Sequence, residues 1–248
     1  VYKRQVSLAR MREKSAATLW AGHATWRVER HSPEPWMPAS PSGWVVHDTL
    51  SALIHPRRAV SALVAALAAR GVQVSHDGPD RGCVVWATGV SGLEQLTKEN
   101  TRMVGTGVKG QAALLKHDAR GKPQLFVDGL HIIPHLDGTV AIGSTTERDY
   151  TDAGRTDEQL DALMDAARRA VPVLADAPVT DRWAGARPRS RSRAPMLGAW
   201  PGKPGHFIAN GGFKIGFGMA PKIACVMADL LLDGKDTIPP DFDVAASL

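Results

Sequence analysis

His206-Phe207-Ile208-Ala209-Asn210-Gly211-Gly212-Phe213-Lys214-Ile215-Gly216-Phe217-Gly218-Met219-Ala220-Pro221 reads as a strand, a glycine-rich turn and the start of a helix. Phe207 to Ala209 supply an apolar strand end, and Gly211, Gly212, Gly216 and Gly218 follow it closely. Pro221 suits the first turn of a helix, where its missing N–H costs nothing. Ala220, Ile223, Ala224, Met227, Leu230 and Leu231 recur at helical spacing, and Gly234 marks the stop. Backbone without Cβ atoms can approach a ligand closely. The N–H groups at a helix start favour an anion or developing negative charge. A flat, electron-accepting ring laid over such a turn would be both held and electronically tuned by it.

Working outward, the 248 residues can bury one large core or two smaller ones. Apolar content of 44% and charged content of 22% are those of a globular protein. The net charge of +5 favours small anions without arguing for nucleic acid. Cys83 and Cys225 lie far apart in apolar segments, so buried thiols are expected rather than a disulfide. No apolar run reaches membrane-spanning length and no signal peptide is visible, so a cytoplasmic enzyme is expected. Residue 1 is Val, and Val1-Tyr2-Lys3-Arg4-Gln5 reads as a translated sequencing adapter. Residues 1–5 are therefore read as a non-native tail on a fragment.

Residues 6–30 are expected to form a helix, and the prolines between His31 and Ser42 a loop. Trp20, Trp26, Trp36 and Trp44 are read as core or domain-contact residues. Trp44 to Val46 suggests a short strand. Pro56 opens a helix with Val60, Leu63, Val64 and Leu67 on one face and Gly71 at its stop. Val72 to Ser75 and Cys83 to Gly89 read as strands, the second buried and parallel. Ligands bind at the carboxyl ends of such strands. Short strand candidates then follow at 104–116, 124–127, 130–135 and 139–144, with a hairpin signal at Asp137-Gly138. Thr156-Asp157-Glu158-Gln159 is a capping box for a helix to Ala170. Val179 to Trp183 returns as a strand, and Ala184 to Arg193 reads as a basic turn.

Gly105-Thr106-Gly107-Val108-Lys109-Gly110 matches G-x-G-x-x-G in form only. A polar stretch precedes it and no long helix follows, so it is not read as a phosphate loop. Arg187 stands beside a glycine and before a proline at a strand end, where a guanidinium can take a carboxylate through two parallel hydrogen bonds. A solvated basic turn is the competing reading, and for Arg189, Arg191 and Arg193 it is the preferred one. No RNA- or DNA-binding module is legible. His131 and His135 are four apart on a strand, so their rings need not converge and no metal site is expected. Asp128, Asp137, Glu147 and Asp149 fall near turns and are read as solvated.

From Thr49 to Leu248 these residues together resemble the FAD-dependent amine and amino-acid oxidoreductases, the group of D-amino acid oxidase, glycine oxidase and sarcosine oxidase. The resemblance is carried by Ile54-His55-Pro56, Val84-Val85-Trp86-Ala87-Thr88-Gly89 and Lys109-Gly110-Gln111. It continues through Ile132-Ile133-Pro134 with Gly143-Ser144-Thr145, then Trp183-Ala184-Gly185-Ala186-Arg187-Pro188 and the glycine-rich turn ending Met219-Ala220-Pro221. It implies an α/β fold, α+β overall. A Rossmann-like FAD/NAD(P)-binding domain at 6–100 and 185–248 would lack its first βαβ unit. An antiparallel-sheet substrate domain at 101–184 would be inserted in it. The family's opening βαβ unit, with its glycine fingerprint and acidic ribose ligand, is not found in this sequence, and the stretch from Val74 to Cys83 is shorter than the family pattern.

The resemblance further implies non-covalent FAD, with Ala87, Thr88 and Gly89 near its diphosphate or ribose. Gly211, Gly212, Phe213, Lys214, Ile215 and Gly216 would line the flavin edge. Arg187 matches the family's carboxylate-binding arginine, and His131 falls where glycine oxidase has a substrate-contacting tyrosine. Thr146 and Lys214 fall at pocket positions, Lys214 where some members carry arginine. The implied reaction is oxidation of the C–N bond of a small amino acid or amine bearing a carboxylate. The electron acceptor would be O₂ or a carrier. The alternatives are a flavin dehydrogenase feeding a quinone and a non-catalytic remnant.

Overall fold

The computed structural model describes residues 2–248, with side chains from Gln5 onward. Of the tail expected at residues 1–5, Val1 and the side chains of 2–4 lie outside the described residues. In chain order the elements are α1 (Tyr2–Leu19), β1 (Trp26–Arg30), β2 (Trp44–Asp48), α2 (Pro56–Ala68), β3 (Val84–Trp86) and α3 (Gly89–Glu99). There follow β4 (Gly105–Lys116), β5 (Leu125–Val127), β6 (Leu130–Pro134), β7 (Thr139–Gly143), α4 (Glu158–Ala170), β8 (Val179–Ser190), β9 (Met196–Ala199), β10 (His206–Asn210) and α5 (Gly216–Asp233). The chain divides into two units. The first holds residues up to Gln73, Ala112–Ser144 and Thr156–Arg182. The second holds Val74–Gln111, Thr145–Arg155 and Trp183–Leu248. The early elements α1 to α2 thus fall with the antiparallel strands, whereas the sequence reading grouped 6–100 with the C-terminal segment.

In the first unit the sheet order is β5-β6-β7-β4-β8. β6 and β7 pair antiparallel around Asp137-Gly138, where Gly138 takes a φ of 79° that L side chains resist. Residues alternate in and out along both strands. The inward set, Leu130, Ile132, Val140 and Ile142, clusters with Leu160, Met164 and Ala167 of α4. Period two on the strands and period 3.6 on the helix therefore meet in one core. The cap of α4 is Asp157 rather than Thr156. Its carboxylate accepts from the Gln159 N–H at 3.0 Å. Asp157→Ala is expected to cost about 1 kcal/mol, read as a lower urea midpoint at unchanged slope.

Three expectations over the first 75 residues are corrected. The helix expected over 6–30 ends at Leu19. Gly22 turns left-handed at φ 80°, and the alternating Trp26–Arg30 pairs with β2 as a strand. Val72 to Ser75 forms no strand, because it lies exposed after the turn at Gly71. Of the tryptophans, Trp36 is buried and donates to the Pro123 carbonyl at 2.8 Å, but Trp20 is exposed. The apolar face of α2 is also exposed at Val60, Leu63, Val64 and Leu67. No helix among the described residues is long and apolar enough to cross a membrane.

In the second unit the order is β3-β10-β9, with β10 parallel to β3 and antiparallel to β9. Leu93 and Leu96 of α3 pack with Val104, Met196, Trp200, Ile208 and Val244. β3 is parallel as expected but not buried, since Val85 is exposed. Cys83 and Cys225 are free and exposed, which corrects the expectation of buried thiols. The G-x-G-x-x-G look-alike lies inside β4, as its missing helix implied. Its glycines serve close packing: a Cβ at Gly105 would press on the Arg189 carbonyl and Leu93. The expected turn over Ala184–Arg193 is mostly strand, since β8 runs to Ser190 before Arg193 turns at φ 69°. α5 starts at Gly216, five residues before Pro221, because Ile215 and Met219 N–H groups already bond Gly212 and Ile215 carbonyls.

Candidate functional site

Both strands of the parallel pair hand over to a helix at their C-terminal ends. β3 leads through Ala87 and Thr88 into α3, and β10 leads through Gly211 to Ile215 into α5. The first N–H groups of a helix have no partner within it. No side chain caps α3 at Thr88 or α5 at Ile215. Two sets of anion-seeking donors therefore stand at one edge of one sheet. Asn210, nine-tenths buried, joins them: its amide donates to the Gly89 carbonyl at 2.8 Å and its oxygen accepts from the Gly211 N–H at 2.8 Å. The sequence reading passed over Asn210. A polar residue closing an apolar strand just before two glycines was the available signal.

The glycine-rich turn is fixed against β8. Gly212 bridges to Arg189, and the Phe213 N–H donates to the Pro188 carbonyl at 3.0 Å. A Cβ on Gly216 or Gly218 would meet open space. Lys214 donates to the Thr146 hydroxyl at 3.1 Å, bringing two of the expected pocket residues together. This cradle of bare backbone and helix-start donors suits a flat, anionic dinucleotide such as FAD. Ala87, Thr88 and Gly89 would hold phosphate or ribose, and Gly211 to Gly216 the ring edge.

Arg187 lies half-buried on β8 with its guanidinium over Gly110, where any Cβ would run into it. Beside it is a buried polar cluster. The Lys109 ammonium is 3.3 Å from the Glu147 carboxylate, their side chains only 5% and 6% exposed. Gln111 donates to Glu147 at 3.0 Å, and the Thr145 hydroxyl donates to it as well. Glu147 was read as solvated. It is buried because its backbone pairs with Lys109 on β4, N–H to carbonyl in both directions at 2.9 Å. Burial pushes the Glu147 carboxyl up, but hydrogen bonds from Thr145, Gln111 and Lys109 outweigh it and hold the group below its ordinary value. Burial lowers the Arg187 pKa while Glu147 opposes that, and the guanidinium stays charged.

His131 belongs to the first unit. It stands exposed on β6, cross-strand from Phe126, with ring centroids 4.7 Å apart. Arg187, Thr146, Lys214, Ala87 to Gly89 and Gly211 to Gly216 all belong to the second.

A family model described as "DAO: FAD dependent oxidoreductase" matches residues 2–230. A glycine oxidase of Pseudomonas aeruginosa is 34% identical over 158 residues, 63% of this chain and 43% of that protein. One from Pseudomonas putida is 34% identical over 134 residues, 54% of this chain and 37% of the other. The chain thus spans less than half the length of these curated relatives. The crystal structure of glycine oxidase from Geobacillus kaustophilus aligns at a TM-score of 0.56 and 26% identity, covering 66% of this chain and 44% of the other. Iminodiacetate oxidase from Chelativorans sp. BNC1 shares the fold, at a TM-score of 0.74 and 18% identity over 88% of this chain and 67% of that one.

Proposed function

The chain belongs to the FAD-dependent oxidoreductases, and from that premise we propose that it is the part of an amine or amino-acid oxidising enzyme that carries the carboxylate anchor and the flavin-edge turn. The observation that carries this reading is the cluster around Arg187. Its guanidinium lies half-buried over Gly110, beside the buried Lys109–Glu147 ion pair, where a substrate carboxylate can meet a charged, forked donor.

Arg187 takes that carboxylate through two parallel N–H···O bonds, which fix the direction of the substrate's Cα–H bond. Gly110 leaves the room that the guanidinium occupies. Lys109, Gln111 and Thr145 hold Glu147 ionised, and its negative charge favours the charged form of Arg187. Asn210 keeps the glycine-rich turn and the Gly89 turn in register. When bound, FAD supplies the acceptor for the hydride leaving the carbon that bears nitrogen. The α5 N-terminus offers positive partial charge where electron density arrives. Similarity to the glycine oxidases supports a small amino acid as substrate.

The test is anaerobic mixing of the FAD-loaded protein with glycine, sarcosine and small D-amino acids. Loss of the yellow absorbance is expected with at least one. Hydrogen peroxide on admitting air then marks an oxidase, and recovery only with a quinone marks a dehydrogenase. Flavin that stays oxidised with every one of these amines removes the amine-oxidising reading.

A further inference from the structure

We propose that His55, His135 and Asp137 of the first unit form a binding site for a divalent first-row transition metal ion, a role that the oxidoreductase reading neither uses nor requires. One ligand-capable atom from each lies within 4.8 Å of the others. His55 is the N-cap of α2, and His135 and Asp137 sit on the hairpin between β6 and β7. Two segments distant in sequence thus bring two imidazoles and a carboxylate together.

The hydrogen bonding around Asp137 and His135 aims those two groups, while His55 Nδ1 accepts from the Arg58 N–H at 3.5 Å and gives up that bond when its lone pair moves to Nε2. The Thr139 hydroxyl donates to Asp137 Oδ1 at 2.6 Å, and the Thr139 N–H donates to the same oxygen at 3.2 Å. Oδ2 is thereby turned toward His55 Nε2, 3.5 Å away. Because the Thr139 hydroxyl spends its proton on Asp137, it acts as acceptor toward His135 Nδ1, 3.2 Å away. That fixes the His135 tautomer with hydrogen on Nδ1 and the lone pair on Nε2. A neighbour that sets tautomer and ring direction in this way is the usual companion of a metal-bound histidine. The rings of His55 and His135 lie 4.1 Å apart, 29° from parallel.

Two nitrogens and one carboxylate oxygen suit zinc, cobalt or nickel rather than magnesium or calcium. Bond lengths of about 2.0–2.2 Å place tetrahedral ligands roughly 3.3 Å apart. The His55–Asp137 pair is already close to that spacing, and small rotations of these two partly exposed side chains toward the buried His135 supply the rest. Arg58 is the competitor. Its guanidinium holds Asp137 Oδ2 at 3.1 Å, but its side chain is 68% exposed and can swing into solvent.

The experiment is calorimetric titration of the chelator-treated protein with zinc chloride, with magnesium chloride as comparison. Zinc is expected to bind with a micromolar Kd and magnesium not at all. His135→Gln, His55→Gln and Asp137→Asn should each weaken zinc at least tenfold, and His23→Gln, outside the cluster, should leave it unchanged. Arg58→Ala should tighten zinc several-fold, a gain that a misfolded variant or a merely structural role would not give. The proposal fails if the wild type takes up no zinc. It also fails if all three ligand variants bind as the wild type does, or if Arg58→Ala weakens binding.

Discussion

Arg187→Ala is expected to lower kcat/KM for a carboxylate-bearing amine by about 2–5 kcal/mol, roughly 30- to 5,000-fold. The magnitude is that of truncating one partner of a charge pair, here the pair proposed between the substrate carboxylate and the half-buried Arg187. Arg187→Lys should recover only part of the loss. An ammonium cannot form the parallel pair of hydrogen bonds, and its shorter reach leaves it short of the space over Gly110. The effect should depend on the substrate's charge: the methyl ester of the same amino acid loses the bidentate contact in the wild type and should be nearly indifferent to the substitution. The flavin spectrum should not change, since the proposed ring contacts come from the turn at Gly211 to Gly216 and not from Arg187. Steady-state rates on acid and ester in wild type and variant make a closed cycle. Equal losses on both would show that Arg187 does not read the carboxylate.

The C-terminal strand, turn and helix were legible because period two, clustered glycines and period 3.6 follow each other within thirty residues. The same logic placed β6, β7 and their hairpin. It failed where a short strand abutted a helix, as at Trp26–Arg30, where five residues carry too little alternation to compete with the helical pattern before them. The α5 start was placed late because proline was read as a first-turn marker, while exposed proline can sit further along a helix whose earlier bonds are made. Arg187 could be singled out from its glycine and proline neighbours. Glu147 could not, and Asn210 only as a polar strand end before two glycines, because their partners Gln111 and Gly89 lie 36 and 121 positions away. Local pattern shows which residues can do chemistry; cross-strand pairing decides which of them are buried to do it.

Lys109→Met is the substitution expected to cost most in stability, about 3–5 kcal/mol at pH 7. It takes from the buried Glu147 carboxylate the ammonium 3.3 Å away, leaving it hydrogen bonds from Gln111 and Thr145 and the more distant attraction of Arg187. The double variant Lys109→Met, Glu147→Leu should regain most of the loss, because removing both charges also removes their desolvation cost. The pH dependence distinguishes this from simple repacking. In the wild type the Glu147 carboxyl is held below its ordinary value, so its contribution is present above the unfolded glutamate pKa and is lost as pH falls through the lower, folded value. Without Lys109 one of the interactions holding it down is gone, and its folded pKa rises. Protonation then relieves the buried charge at a higher pH, so the gap in stability between wild type and Lys109→Met should narrow as pH drops from 7 toward 4.5. Urea unfolding at the two pH values measures it. A gap that stays constant would mean that Lys109 acts through its methylene packing, and that Glu147 owes its ionised state to Gln111, Thr145 and Arg187 instead.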